Sequence, residues 1–248
     1  MTMTDAWDLA AVKYKLAFPL DVQTSSEALD WVRELADLVG WFKVGLELFI
    51  AEGPSLISEL KKFAPEAKIF LDLKLHDIPA TIAGAVRSAE AWGVSLLSVH
   101  AQGGREMMRK ASEAAQKVRL LAVTVLTSLN PEEDFPELRP KYTVPGAYAV
   151  SLAKRAREAG VGGLVASPLE IKALRKELGP DVFLLIPGIR PKWSEVSSDD
   201  QKRVGTPSEA IQDGADLLVI GRPIRQAPDP RKAALASLKE IFEAISNH

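Results

Sequence analysis

Eight short apolar runs, each followed by a longer amphipathic stretch, limit what this chain can fold into more than any other feature of its sequence. Most of the runs are apolar at almost every position, as expected of parallel strands that are covered on both faces. No low-complexity linker interrupts the alternation, which predicts one parallel α/β domain. The runs are residues 16–20, 41–46, 68–73, 95–100, 120–126, 163–166, 182–187 and 216–220.

The stretches between the runs carry the signals of helices. Apolar residues recur at helical spacing, and a serine or a proline stands at the start of several stretches, where it favours a helix N-terminus. Glycines stand where four of the stretches end: Gly93, Gly160, Gly179 and Gly214. We predict helices at residues 25–32, 54–63, 79–92, 104–118, 147–159, 168–178, 206–212 and 230–245.

Eight strand–helix units are the number that closes a parallel sheet into a (β/α)8 TIM barrel. The 248 residues fit one barrel domain over residues 1–248, because such barrels commonly have about 250 residues. A doubly wound open sheet is the alternative that periodicity leaves open. Two long connections, residues 128–145 and 190–205, follow the fifth and seventh runs. They are candidate lids at the mouth of the barrel, or tolerated surface insertions.

The composition argues against several classes of function. Lys and Arg number 31 and Asp and Glu 33, so a net charge of −2 provides no general attraction for nucleic acid or an anionic membrane. The absence of cysteine excludes disulfides, thiolate metal sites and a cysteine nucleophile. The sequence shows neither a secretory signal nor an apolar run of about 18 residues, so we expect a soluble, cytoplasmic protein.

The third apolar run is unusual because it ends in charged residues. Asp72 and Lys74 are separated by one residue, so a strand places both on the same face. Asp77 follows in the turn, Asp21 comes directly after the first run and Lys43 lies within the second. Ions that leave water need partners of opposite sign. We therefore expect all five at the carboxyl-terminal mouth, with the lysines protonated and the carboxylates ionised.

Such an array is compatible with a salt-bridge network that braces the rim or with a reaction site. Neither a Ser/His/Asp order nor convincing zinc spacing accompanies it, and interleaved lysines would repel a divalent metal. An ammonium group among carboxylates suits the stabilisation and protonation of a carbanion. A Schiff base on Lys74 would require a depressed pKa, which the flanking aspartates oppose.

The last two runs are followed by residues that suit an anion. Gly221 and Arg222 follow the eighth run, and Pro187, Gly188 and Arg190 follow the seventh. Glycine lets backbone N–H groups approach an anion, and arginine binds it with two hydrogen bonds. Phosphate sites after strands seven and eight recur among (β/α)8 enzymes. We therefore predict a phosphate site at the end of the ligand opposite the charged array.

These motifs, in their order along the chain, resemble the orotidine 5'-monophosphate decarboxylase family over nearly the whole sequence. The signature Asp-x-Lys-x-x-Asp-Ile-Pro is present at residues 72–79. The resemblance implies conversion of orotidine 5'-monophosphate to UMP and carbon dioxide in de novo pyrimidine biosynthesis, without a cofactor or a metal. Further landmarks agree at residues 20–21, 43–45, 99–101, 126–128, 187–190, 200–201 and 219–222.

The resemblance also implies a role for each matching residue. Lys74 would donate the proton to C6 of the pyrimidine, and Asp72 would lie beside the departing carboxylate. Lys43 and Asp77 would complete the catalytic array, and Asp21 would contact the ribose. The remaining substrate contacts would be Thr127 and Ser128 at the pyrimidine, and Pro187, Arg190, Gln201, Gly221 and Arg222 at the phosphate and lid.

The resemblance further implies a homodimer with the sites at its interface, where Asp77, Ile78 and Thr81 would reach the ligand of the neighbouring subunit. Two positions depart from the family pattern, since Ala80 replaces the usual Asn and Pro19 the usual Ala. Neither removes a charged group. Three rival functions remain: a magnesium-dependent sugar-phosphate decarboxylase or aldolase of the same barrel group, a Schiff-base aldolase, and a catalytically silent nucleotide-binding or scaffold protein.

Overall fold

Eight parallel strands form the centre of the computed structural model, which describes residues 9–129, 144–194 and 203–247. Each strand pairs with the next along the chain, and the eighth pairs with the first. The strands are β1 (Leu16–Pro19), β2 (Trp41–Gly45), β3 (Lys68–Leu75), β4 (Leu96–His100), β5 (Arg119–Val123), β6 (Gly163–Val165), β7 (Phe183–Ile186) and β8 (Leu217–Val219). The predicted TIM barrel is confirmed, and the open sheet is excluded.

Helices surround the barrel and connect its strands. They are α1 (Leu9–Val12), α2 (Ser25–Leu35), α3 (Leu46–Glu52), α4 (Ser55–Phe63), α5 (Pro79–Ala91), α6 (Gly104–Ala114), α7 (Pro145–Glu158), α8 (Ile171–Leu178), α9 (Pro207–Gln212), α10 (Arg222–Arg225) and α11 (Pro230–Ser246). Short 3-10 turns occupy Lys13–Lys15, Ala101–Gly103 and Pro168–Glu170. Within the described ranges, no helix is both long and apolar enough to span a membrane.

Local side-chain chemistry explains where several helices begin and end. The cap of α2 is Thr24, whose hydroxyl accepts from the backbone N–H of Glu27, and not the serine that the sequence suggested. Thr206 and Glu209 form a reciprocal capping box at α9. The four glycines predicted to end helices all have positive φ, as a left-handed C-terminal residue requires.

Helix α6 ends at Ala114, four residues before the predicted end. The backbone N–H groups of the next turn point instead to the carboxylate of Glu90 on α5. Gln116 and Val118 each donate to Glu90 Oε1 over 3.0 Å. A carboxylate that accepts several backbone N–H groups replaces the hydrogen bonds of a further helical turn. The short helices α3 and α10 were not predicted, because they lie directly after strands.

The barrel interior is filled beneath its carboxyl-terminal mouth. A separate apolar cluster lies inside the strands, whereas the larger core lies between strands and helices. Phe70, on β3, is 1% exposed and is the last interior apolar side chain of that strand before the charged residues. The interior cluster consists of Ala17, Trp41, Phe70, Leu96, Leu121, Leu185, Leu217 and Val219. Charged side chains further along the strands therefore lie above an apolar floor.

Candidate active site

Four charged side chains meet at the carboxyl ends of β1, β2 and β3. Lys43 Nζ lies 3.0 Å from Asp21 Oδ1 and 3.8 Å from Asp72 Oδ2. Lys74 Nζ lies 2.8 Å from the same Asp72 oxygen. The charges therefore alternate in sign along the row Asp21, Lys43, Asp72 and Lys74. We refer to these four residues as the charged row.

Asp72 is the most buried member of the charged row, with 8% of its surface exposed. Burial alone would raise the pKa of its carboxyl. The charges of Lys43 and Lys74, with hydrogen bonds from Lys74 and Ser98, outweigh that effect and hold the pKa below its usual value. Asp72 therefore carries a negative charge at neutral pH, beside the ammonium groups of both lysines.

Lys74 has an unusual backbone conformation. Its φ of 48° is the only positive value among the non-glycine residues that the structure describes. The pairing of β3 with β4 shifts between Leu71 and Leu75, so the strand is irregular where the charged residues stand. A side chain makes this region of φ unfavourable, and strain of this kind is concentrated at functional sites. Asp72 and Lys74 both line the cavity, although the strand between them is not regular.

Ser98 on β4 is a polar residue of the site that sequence reasoning missed. It is completely buried, and its hydroxyl donates to Asp72 Oδ1 over 2.8 Å. The sequence did indicate this residue, because Ser98 is a polar residue within the fourth apolar run, two residues after the interior Leu96. Because side chains alternate along a strand, Ser98 also had to point into the barrel.

The charged row forms one side of a cavity of about 220 Å³ at the mouth of the barrel. Phe70 forms part of its floor, and apolar side chains of later strands form the opposite wall. The other residues that line it are Pro19, Val123, Val125, Leu126, Thr127, Val165, Ala166, Leu185, Pro187, Gly188, Arg190, Val219, Gly221 and Arg222. A cavity with an apolar wall and a few convergent charges suits a small ligand that has both characters.

The residues predicted to hold a phosphate lie on the β7–β8 side of this cavity. Pro187, Arg190, Gly221 and Arg222 all line it. Gly221 approaches β1 so closely that a Cβ atom there would lie 2.7 Å from Pro19 Cγ. Glycine is therefore needed at position 221 in this packing. The backbone of Arg190 is fixed by a hydrogen bond from its N–H to the carbonyl of Gly205 over 2.8 Å.

Several predicted site residues lie elsewhere. Asp77 and Thr81 are exposed, and Ile78 is 67% exposed, at the turn after β3 and the start of α5. None of the three lines the cavity, and the Asp77 carboxylate accepts from the backbone N–H of Ile78 over 2.6 Å. Thr127 lines the cavity, whereas the exposed Ser128 does not. Gln201, most of the candidate lid 128–145 and half of the candidate lid 190–205 lie outside the described residues.

The carboxylates of the cavity already face ammonium groups. Asp21 and Asp72 both contact Lys43, and Asp72 also contacts Lys74. Among the described residues, no group of three or more His, Cys, Asp or Glu side chains is placed to hold a metal ion. The chemistry that these side chains offer is therefore that of fixed positive charges and transferable protons beside an ionised carboxylate.

Comparison with known proteins gives a consistent result over most of the chain. The model of the orotidine 5'-phosphate decarboxylase / HUMPS family matches residues 14–237. The orotidine 5'-phosphate decarboxylase of Trichlorobacter lovleyi is 47% identical over 240 residues, which cover 94% of this chain and 97% of that protein. The enzyme of the same name from Anaeromyxobacter dehalogenans is 48% identical over 224 residues, 90% of this chain and 96% of that protein.

A solved structure agrees with these relatives. The crystal structure of orotidine 5'-phosphate decarboxylase from Lactobacillus acidophilus superposes with a TM-score of 0.79 at 33% sequence identity. The match covers 92% of this chain and 99% of that chain. The family model spans all eight strands and every residue of the charged row. This chain therefore belongs to the orotidine 5'-phosphate decarboxylase / HUMPS family.

Proposed function

We propose that this protein is a carboxy-lyase that converts orotidine 5'-monophosphate to UMP and carbon dioxide in pyrimidine biosynthesis. The observation that carries the proposal is one cavity with the charged row on one side and Arg190, Gly221 and Arg222 on the other. A nucleotide has a phosphate at one end and a base at the other. The phosphate matches the arginine side, and the carboxylate-bearing base matches Lys74.

The charges that line the cavity determine the orientation of the nucleotide in the proposed complex. With the phosphate near Arg222 and Arg190, the ribose hydroxyls would face Asp21 and Lys43, which lie 3.0 Å apart and can accept and donate hydrogen bonds. The pyrimidine would then lie over the apolar wall near Val123 and Thr127. Its C6 carboxylate would lie beside Lys74 and Asp72.

The reaction needs one bond to break and one proton to move. The bond between C6 and the carboxylate carbon breaks, carbon dioxide leaves, and the electron pair remains on C6. The pyrimidine ring offers that pair no delocalisation, so a fixed positive charge beside it has a large effect. The Lys74 ammonium supplies this charge and then transfers its proton to C6. Solvent returns a proton to Lys74.

Asp72 has two consequences for that step. Its negative charge, 2.8 Å from Lys74 Nζ, would hold the ammonium group of the lysine in place beside C6. It would also lie beside the substrate carboxylate, and the repulsion is relieved as neutral carbon dioxide leaves. Proton and charge both come from side chains of the protein, so the proposal requires neither a cofactor nor a metal.

Two further features belong to the proposal. Binding of the remote phosphate would favour closure of the segment 190–205, so that binding energy far from C6 holds the reacting end in place. The exposed Asp77, Ile78 and Thr81 would contact the ligand of a second subunit in a homodimer. Their position outside the cavity of their own chain supports this arrangement.

The test is an ultraviolet assay that follows the loss of orotidine 5'-monophosphate. We expect turnover by the protein, and a decrease of at least about 1000-fold in kcat for Lys74→Ala, which loses both proton and charge. Lys239→Ala is the matched control, because this lysine is 68% exposed on α11 and pairs only weakly with Glu243. Near-normal decarboxylation by Lys74→Ala would contradict the mechanism, and absence of turnover by the unmodified protein would contradict the function.

The same assay, together with borohydride trapping and a nucleotide-binding measurement, separates the rival functions. A chelator would inhibit a magnesium-dependent sugar-phosphate enzyme, and we expect it to leave the proposed reaction unchanged. Borohydride would trap a Schiff base on Lys74, and we expect no trapping because the ammonium is paired with Asp72. A silent nucleotide-binding protein would bind the nucleotide without consuming it.

A further inference from the structure

Ser98 connects the two residues on which the proposed chemistry depends. Its side chain is fully buried on β4. Its Oγ donates to Asp72 Oδ1 over 2.8 Å and accepts from the backbone N–H of Lys74 over 2.8 Å. One hydroxyl therefore contacts the carboxylate and also the backbone of the lysine that binds that carboxylate.

The two oxygens of Asp72 have different partners. Oδ2 faces the ammonium groups of Lys74 and Lys43, at 2.8 and 3.8 Å, whereas Oδ1 accepts from Ser98. Rotation about the terminal bond of an aspartate side chain is broad and weakly restricted. A donor fixed on β4 selects one orientation and keeps Oδ2 turned towards the lysines.

The second hydrogen bond supports the backbone of Lys74. Its φ of 48° is unfavourable for a residue with a side chain, and the register between β3 and β4 shifts at this point. The Lys74 N–H is bound by the Ser98 hydroxyl where the regular ladder is interrupted. A buried N–H without a partner is costly, so this contact stabilises the conformation that directs Lys74 into the cavity.

We propose that Ser98 is a positioning residue for the decarboxylation, which holds Asp72 Oδ2 and the Lys74 ammonium in their reactive arrangement. The inference rests on the proposed function. Ser98 does not line the cavity, so it would act through Asp72 and Lys74 and not by touching the substrate.

The first experiment compares Ser98→Ala and Ser98→Thr in the ultraviolet assay. We expect kcat of Ser98→Ala to fall about 10- to 100-fold, because hydrogen bonds to charged groups are strong. KM should change less than about 3-fold, since the phosphate contacts are untouched. Ser98→Thr retains the hydroxyl and should recover most of the activity. Ser237→Ala is the control, because Ser237 is equally buried and its hydroxyl binds only Ala233 O within α11.

A second measurement distinguishes positioning from mere stabilisation of the fold. Lys43 from β2, Lys74 from β3 and Ser98 from β4 face Asp72, and Asp21 from β1 faces Lys43. Loss of the Ser98 donor should raise the pKa of Asp72. The titration of its carboxyl carbon, followed by 13C NMR and assigned with Asp72→Asn, should move to higher pH in Ser98→Ala and not in Ser237→Ala.

The outcomes decide between the alternatives. Wild-type kcat and an unmoved Asp72 titration in folded Ser98→Ala would overturn the inference. If that variant does not fold, Ser98→Cys keeps the size with a weaker donor, and wild-type kcat in Ser98→Cys would overturn it equally. If the unmodified protein does not consume orotidine 5'-monophosphate, the proposed function fails, whereas the Asp72 titration still tests the role of Ser98.

Discussion

Asp72 is the residue at which the stability of the fold and the proposed reaction would depend on the same carboxylate. Two lysines and a serine surround its carboxylate, and together they lower its pKa in spite of burial. A carboxyl whose pKa is lower in the folded state stabilises the fold above its unfolded pKa. That stabilisation is lost as the pH falls through the folded pKa. The difference in the pH dependence of unfolding between the unmodified protein and a variant at position 72 therefore reports on this residue.

We expect Asp72→Asn to lower the free energy of unfolding by about 3 kcal/mol at pH 7, because it leaves two ammonium groups without their shared partner. The difference from the unmodified protein should shrink as the pH falls below 3.8, the ordinary pKa of an aspartate. Urea unfolding between pH 7 and pH 3 measures it, with the exposed Asp181→Asn as control. A difference that stays constant with pH would contradict the assignment.

Arg222 should affect capture of the substrate more than the chemical step. It lines the cavity on the side opposite Lys74, so it would contact the phosphate and not C6. We expect Arg222→Ala to raise KM about 10- to 100-fold with a smaller change in kcat. Steady-state kinetics measure both, and Arg33→Ala, in an exposed ion pair on α2, is the control. An unchanged kcat/KM would remove Arg222 from the phosphate site.

A buried ion pair connects three of the segments that follow strands. Arg203, 5% exposed, binds Glu170, 2% exposed, in the 3-10 turn after β6. Arg203 Nη2 also donates to the carbonyls of Val125 and Leu126, over 2.8 and 3.1 Å. Those carbonyls immediately precede Thr127, which lines the cavity. The pair therefore holds the backbone beside one wall of the site.

Burial raises the pKa of Glu170, although the charge of Arg203 opposes the shift. Arg203→Met removes this positive charge and leaves the buried carboxyl of Glu170 without a cation beside it. A carboxyl whose pKa is raised in the folded state stabilises the fold at low pH. This stabilisation is lost as the pH rises through the folded pKa. We therefore expect the variant to be destabilised by about 3 kcal/mol at pH 8 and by less at pH 5. Urea unfolding at both pH values tests this, and equal destabilisation at the two would contradict it.

The control for this prediction is a double variant, in which Glu170→Gln is added to Arg203→Met. The double variant Arg203→Met with Glu170→Gln contains no buried carboxyl, so the pH dependence should disappear. The capping hydrogen bond from the Ser167 N–H to Glu170 Oε2, at 2.9 Å, can be retained by the glutamine oxygen.

In the proposed homodimer, each active site would include residues of both subunits. If Asp77 serves the neighbouring subunit, Lys74→Ala and Asp77→Ala are defective in complementary ways. Subunit exchange between the two inactive variants would produce hybrid dimers with one intact site. We expect recovery of about a quarter of the unmodified activity after mixing in equal amounts. No recovery, once light scattering has shown dimers and exchange, would contradict a shared site.

Much of the fold follows from the order of the elements along the chain. Eight apolar runs that alternate with helices predicted a parallel sheet, and the strands begin and end within a few residues of the predicted positions. The pairing of β8 with β1 decided between the closed barrel and an open sheet. Helix ends were less predictable, since they depend on contacts distant in sequence. The end of α6 at Ala114 depends on Glu90 of another helix, and α2 is capped by Thr24. The helix ends that carry a glycine were predictable, because they depend on the local backbone conformation.

Sequence by itself determined that Asp72, Lys74, Lys43 and Asp21 stand at the ends of successive strands, because the alternation of strands and charges is a one-dimensional pattern. Tertiary structure decided which of them touch and how. The shared Asp72 oxygen, the left-handed backbone of Lys74, the Ser98 hydroxyl and the exclusion of Asp77 from the cavity of its own chain all depend on strand register and barrel closure. Strand register determines which residues of neighbouring strands face each other, although they are distant in sequence. The local conformational preferences of the sequence do not specify that register.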